Sequence, residues 1–203
     1  MVTGTLFIIA APSGAGKTTL VRALTDRLRD IRVSVSHTTR PKRPREIEGV
    51  NYHFVSEQDF DDLIEDGILL EHANVFGHQY GTSSKWVGQE LAAGVDVILE
   101  IDWQGAKQVK ERFPRCVSIF ILPPSSDTLR ERLMKRAQDD PEVIAKRMAQ
   151  AKAEMSHFEE FDYLVINQHF RTALRDLITV VCAERLRLKS QMGRHKDLIE
   201  SLF

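Results

Sequence analysis

A chain of 203 residues with 42% hydrophobic content is long enough to bury one sizeable core and sits near the upper end of single-domain size. Charged residues make up 28%, yet the net charge is only -1, which excludes the strongly basic balance of a general nucleic-acid binder. Any anion site must therefore be local. The 2 cysteines, Cys116 and Cys182, lie in apolar stretches without CxxC spacing, and the 7 histidines show no HExxH or paired spacing; reduced, buried thiols and no zinc site are expected.

No basic segment precedes the first apolar run, and Leu6 to Ala11 is too short to span a bilayer or act as a signal peptide. The expectation is a cytoplasmic protein with no membrane partner. Thr5 to Ala11 reads as a strand covered on both faces, leading through Pro12-Ser13-Gly14-Ala15-Gly16 into a helix with Leu20, Val21, Leu24 and Leu28 on one face. Similar apolar runs at Val95 to Ile101, Cys116 to Leu122 and Tyr163 to Ile166 alternate with helical patterning, the signature of a doubly wound parallel α/β sheet.

Two insertions interrupt that rhythm. Residues 37–94 hold a basic loop, Arg40-Pro41-Lys42-Arg43-Pro44-Arg45, strand-like pieces around Tyr52 to Val55 and Leu69 to Phe76, and helix starts at Ser56 and Ser84; they read as a small lobe. Residues 125–158 follow Pro123-Pro124, are helical and charged, and carry a Pro141-Glu142 pair suited to a helix's first turn, so they read as a lid. A last helix from about Thr172, with Leu174, Leu177, Ile178 and Val181 on one side, is expected to pack on the sheet. The core is then 1–36, 95–124 and 159–203, within one domain of 1–203.

The strongest chemical signal is Ala11-Pro12-Ser13-Gly14-Ala15-Gly16-Lys17-Thr18, a strand-loop-helix with the GxxxxGK[ST] layout except that alanine stands first. Glycines let backbone N–H groups turn inward around phosphates, and the helix N-terminus adds positive potential. Lys17 is placed to reach the β- and γ-phosphates, and the Thr18 hydroxyl to ligate magnesium. A glycine-rich turn that merely joins strand to helix is the bland alternative, disfavoured by the placement between an apolar strand and an amphipathic helix. Magnesium-ATP binding is the expectation, with Thr19 closing the loop.

Such a loop reads only polyphosphate, so the acceptor must be identified elsewhere. From about Thr5 to the C-terminal helix the chain resembles the bacterial guanylate kinases. The matching stretches are Ala11 to Thr19, Val35 to Arg43, Gly49 to Val55, Leu70 to Ala73, Tyr80-Gly81-Thr82, Ile101 to Gly105 and Ile144 to Met148. The resemblance implies a P-loop NTPase-type parallel sheet flanked by helices, with an inserted GMP-binding lobe, a helical lid, and transfer of the γ-phosphoryl group of ATP to GMP. Arg40, Arg43, Tyr52 and Tyr80, with Ser36, would receive the 5′-phosphate; two guanidinium groups and two phenols suit a compact dianion. Read alone, Arg40 to Arg45 is more simply a solvated basic turn. Glu71 offers the acceptor that guanine's N1–H and N2–H₂ edge needs, by resemblance Thr82 contacts the same base, and Asp102, at the end of the Val95 to Ile101 strand where open α/β sheets bind ligands, is expected to bind GMP. Relatives usually carry Asp-Ile-Asp where this chain has Glu100-Ile101-Asp102, which leaves Glu100 between a magnesium-water role and a GMP role.

Arg132 and Arg136, four apart on an expected helix, face one way, and Arg147 follows on the next helix. A solvated face partnered by Glu131 and Asp139 is the bland reading; the resemblance makes these arginines a cluster over the transferring phosphate. Trp103 reads as a core or hinge contact. A non-catalytic module recognising phosphorylated partners, and a kinase for another nucleoside monophosphate, remain as alternatives. Lys17, Thr18 and the lid arginines weigh against the first, and Glu71 with Thr82 against the second. No pattern sets an oligomeric state.

Overall fold

The computed structural model describes residues 4–75, 77–136 and 141–203. Five strands form a parallel sheet: β1 (Leu6–Ala10), β2 (Ile31–Val33), β7 (Asp96–Leu99), β8 (Val117–Leu122) and β9 (Tyr163–Ile166), in the order β2-β7-β1-β8-β9. The apolar runs mark four of these strands to within a residue or two at each end. The short edge strand β2 has only one buried position in three, so no continuous run announces it.

Helices cover both faces, which is why β1 is apolar at every position. Phe7 and Ile9 point into one cluster with Leu20, Val21 and Leu24 of α1 (Lys17–Thr25) and Leu174, Leu177 and Val181 of α7 (Phe170–Arg185). Leu6 and Ile8 point the other way, toward Val87 and Leu91 of α3 (Ser84–Ala92) and Ala106 and Val109 of α4 (Trp103–Arg112). Ile8 is fully buried, and truncating it to alanine would cost about 2–5 kcal/mol. The C-terminal helix begins at Phe170, two residues before the expected Thr172, and two short helices, α8 (Leu188–Arg194) and α9 (Lys196–Glu200), follow it.

A second sheet gathers β3 (His37–Thr38), β4 (His53–Phe54), β5 (Leu69–Val75) and β6 (His78–Ser83) in the order β4-β3-β6-β5. The expected piece through Phe76 thus ends at Val75, Phe76 itself lying outside the described residues. Between β4 and β5, α2 (Glu57–Glu65) starts where Ser56 predicts, with a full capping box in which Ser56 and Asp59 bond reciprocally. Residues after β8 form α5 (Ser126–Arg136) and α6 (Pro141–Met155), held together by Leu129, Leu133 and Ala151. Pro141 opens its helix as the Pro-Glu pair predicts; Asp139 lies outside the described residues. The thiols depart from expectation: Cys116 and Cys182 are free but only half-buried, Cys116 at the margin of an apolar cluster rather than inside it.

Strand β1 is flanked by β7 on one side and β8 on the other, so the chain changes winding direction there. The loops leaving the carboxyl ends of β1 and β7 therefore open into one crevice, where open α/β sheets take ligands.

Candidate active site

The loop after β1 is shaped by its glycines. Gly14 (φ 90) and Gly16 (φ 95) take left-handed backbone that a side chain would strain, and Ala15 N donates to Pro12 O at 3.0 Å. Gly16 caps α1, whose first residues are Lys17, Thr18 and Thr19, so the helix's free N–H groups face the loop's concavity. The loop is braced from behind: Asn167 Nδ2 donates to Ala15 O at 2.6 Å, and Arg132 reaches Ala15 O at 3.4 Å and Asn167 O at 3.2 Å. A cavity of about 510 Å³ opens beside it, lined by Gly14, Gly16, Thr19, Arg132, Asn167 and Phe170.

Across the crevice, Thr18 Oγ1 donates to Glu100 Oε2 at 3.2 Å. A hydroxyl and a carboxylate oxygen side by side are hard oxygen donors of the kind magnesium prefers, so the residues present fit that ion. Glu100 also lies within electrostatic reach of Tyr52. Two residues on, Asp102 caps α4, its Oδ1 accepting from Gly105 N at 2.9 Å and its Oδ2 from Gln104 Nε2 at 3.0 Å. Trp103 stacks flat on His157, with ring centroids 3.6 Å apart and planes 6° from parallel, which joins the first turn of α4 to the segment after α6.

The four-stranded sheet supplies the facing wall. A bulge between Leu69 and Glu71 resets β5 so that Glu71 pairs with Thr82 of β6. Glu71 is 3% exposed, and its carboxylate accepts from the Thr82 hydroxyl and N–H. Ser36 extends the chain of contacts, its Oγ 3.4 Å from Thr82 Oγ1. Burial pushes the Glu71 carboxyl up to about 7, with Asp102 adding to the rise and Thr82 and Lys17 opposing it. Lys17 and Glu71, from opposite walls, are thus electrostatic neighbours.

Arg40, Tyr52 and Tyr80 come together in the same four-stranded lobe. The Arg40 guanidinium carbon lies 5.4 Å from the centroid of the Tyr52 ring, Tyr52 meets Tyr80 edge-on at 5.8 Å, and Arg40 also bonds Tyr80. Arg43 is different: its side chain is exposed and its backbone is tied to Glu46, its N–H donating to Glu46 Oε2 at 2.8 Å and its carbonyl accepting from Glu46 N at 3.0 Å. Glu46 anchors the whole turn, since its Oε1 lies 2.6 Å from Arg40 Nη2. The Arg40 hydrogen bond holds the Glu46 carboxyl below its ordinary range. Sequence reading passed over Glu46, although a single acid closing a run of arginines and lysines was a visible signal.

Two other contributors left no such signal. Asn167 is polar at the end of a strand, where a surface turn is the ordinary reading, yet it is buried against the phosphate loop. Glu154, near the end of α6, accepts from Ser13 N–H and lies within reach of Lys17; burial raises its carboxyl, and Lys17 and Ser13 oppose the rise. Of the expected lid arginines, Arg132 reaches the phosphate loop and Arg147 is half-buried on α6. The side chain of Arg136 lies outside the described residues.

A parallel sheet with a glycine loop running into a helix that opens on lysine and threonine defines a phosphate-binding-loop nucleotide-binding fold. A family model described as guanylate kinase matches residues 3–184. The chain belongs to the guanylate kinase family. It is 58% identical to the guanylate kinase of Saccharophagus degradans, over 98% of each chain, and 56% identical to that of Escherichia coli strain K12, over 100% of this chain and 99% of that protein. Among solved structures, guanylate kinase from Anaplasma phagocytophilum superposes with a TM-score of 0.78 at 33% identity, covering 92% of this chain and 89% of that one.

Proposed function

We propose that this chain transfers the γ-phosphoryl group of ATP to GMP, giving ADP and GDP, with Glu71 reading guanine. The carrying observation is a carboxylate 3% exposed, fixed by Thr82, on the wall opposite Lys17. A buried carboxylate whose ionised form stays this disfavoured despite the Thr82 donors is short of them, and the N1–H and N2–H₂ edge of guanine supplies more. Adenine presents the opposite pattern at that edge, so the same carboxylate repels it.

Residues 37–94 then act as the GMP-binding lobe and residues 125–158 as the lid of a core made by 1–36, 95–124 and 159–203. The loop from Ala11 to Thr19 cradles the ATP phosphates and Lys17 bridges the β- and γ-groups. Thr18, with Glu100 behind it, holds magnesium, which when bound neutralises phosphate charge. Ser36, Arg40, Arg43, Tyr52 and Tyr80 take the GMP phosphate, and Thr82 and Asp102 support Glu71 at the base. Lid closure brings Arg136 and Arg147 to the reacting group alongside Arg132.

The attacking oxygen belongs to a phosphate monoester whose second pKa is about 6, so no general base is needed at neutral pH. Alignment, charge neutralisation and exclusion of water carry the rate. The substrates are free nucleotides, so the reading puts the work in the cytoplasm; among the described residues no helix is long and apolar enough to cross a membrane. Coupled ADP release with magnesium-ATP and each of GMP, AMP, CMP and UMP tests the reading: GMP should be used at least about 10²-fold better. Equal rates on all four would refute it.

A further inference from the structure

The third residue of α4 is Gly105, and the structure gives a reason that lies outside the helix. Glycine is the poorest helix former after proline, so a glycine inside a helix asks for a cause. Backbone geometry is not that cause, because the φ of Gly105 is not in the left-handed region. Space is. A Cβ built on Gly105 would lie 2.5 Å from Glu71 Oε2, 3.2 Å from Glu71 Cδ and 3.4 Å from Ile101 Cβ. Another helical glycine, Gly88 in α3, has nothing within 4 Å of the same position.

We infer that Gly105 is a specificity-positioning residue, whose missing side chain makes the notch that sets the depth and direction of the Glu71 carboxylate toward the acceptor base. The carboxylate is enclosed on its other side by Thr82, which is fully buried and paired to it in register, so it has no room to recoil without leaving its hydrogen bonds. The same glycine is fixed in turn by Asp102, whose Oδ1 accepts from Gly105 N at 2.9 Å. Asp102, Gly105 and Glu71 therefore form one contact chain. The end of β7 sets the helix start, the helix start sets the notch, and the notch sets the carboxylate.

The inference rests on the reading of Glu71 as the guanine acceptor, and a small set of variants separates the two. Gly105→Ala should raise the KM for GMP about tenfold, as expected for a displaced charged hydrogen bond, with the KM for ATP unchanged. Gly88→Ala, the same substitution in open space, should leave both constants unchanged. In a Glu71→Asp background, where the carboxylate is withdrawn by one methylene, adding Gly105→Ala should raise the GMP constant less than about twofold. Equal factors in the parent and in the Glu71→Asp background would overturn the notch, because a general helix defect does not depend on the length of the side chain at that position of β5. An unchanged GMP constant in Gly105→Ala would overturn it also. If Glu71→Ala itself leaves the GMP constant unmoved, the reading of Glu71 falls first, and a normal response there with a silent Gly105→Ala condemns the notch alone.

Discussion

The two walls of the crevice are made of different materials. The phosphate loop is backbone: Gly14 and Gly16 in left-handed geometry, Ala15 bonded to Pro12, and the open N-terminus of α1. The acceptor wall is side chain: Ser36, Arg40, Tyr52, Glu71, Tyr80 and Thr82, gathered from β5, β6 and the loops around β3 and β4. A backbone receptor keeps its hydrogen-bond donors whether or not a ligand is present, and it carries no ionisable group to bury. A side-chain receptor can tell one base from another, but it must hold a carboxylate where the carboxylate does not want its charge. Selectivity and stability are in direct opposition on the acceptor wall.

The sharpest way to break that contrast is to remove the one charge the backbone wall adds. Lys17→Ala should lower turnover about 10³-fold, because the lysine acts on charge that develops during transfer, while the GMP constant stays within about twofold and the fold persists. Steady-state kinetics with a thermal melt checks this. A comparable rise in the GMP constant would mean that the two walls are not separable. On the other wall, Glu71→Ala should raise the GMP constant about 10²-fold through loss of a charge-assisted pair of hydrogen bonds, with the ATP constant unmoved. Isothermal titration of each nucleotide reads the two effects directly.

The same difference in material explains what was legible beforehand. The phosphate loop could be read because a backbone site needs its glycines, lysine and threonine in one contiguous stretch, and the strand before it is apolar at every position for a reason internal to the sheet. Arg40, Tyr52, Glu71, Tyr80 and Thr82 came from family resemblance, since pairing across β5 and β6 is long-range and no spacing rule encodes it. Asn167 and Glu154 were missed for the same reason: each is an ordinary polar residue until tertiary structure brings it to the loop from 152 and more than a hundred residues away. Edge strand β2 and the two-residue strands β3 and β4 are too short to show any period. Arg43 was expected beside Arg40 from the same resemblance, and the structure leaves its side chain exposed while Glu46 bonds its backbone.

A smaller effect follows from titrating the acceptor wall. In the folded chain the Glu71 carboxyl is raised from 4.5 to about 7, so between those values the native state holds a proton that the unfolded chain has released. The Glu71 contribution to stability then falls as pH rises from about 4.5 to about 7 and levels off above it. Glu71→Gln removes the buried charge and should be more stable than the parent at pH 8, by on the order of 2–3 kcal/mol, the gain shrinking to nothing near pH 4.5. Recognition runs the other way: kcat/KM for GMP should fall about tenfold per unit as pH drops below 7. The glutamine variant should keep only the shallower dependence that GMP's own phosphate imposes near pH 6. Urea melts of both proteins at three pH values and a pH–rate profile test both halves, and a stability difference between variant and parent that does not grow from pH 5 to pH 8 would contradict the first.

The smallest effect concerns Glu46, which places a negative charge 2.6 Å from the arginine proposed to receive a phosphate dianion. Coulomb repulsion alone says that removing this charge should tighten GMP binding. Geometry says the opposite, because one oxygen of Glu46 aims Arg40 and the other holds the Arg43 backbone, while glutamine has a single acceptor and can keep only one of the two. The site is partly solvated, Arg40 at 11% and Glu46 at 16% side-chain exposure, so the repulsion is screened while the aim is not. Pro41 O, Tyr52 and Tyr80 still hold Arg40 when Glu46 is lost, which keeps the penalty modest. Glu46→Gln should therefore raise the GMP constant about threefold with little change in kcat, and the difference should persist at higher salt. Tighter GMP binding that fades with added salt would show that charge, not aim, is what Glu46 contributes to this wall.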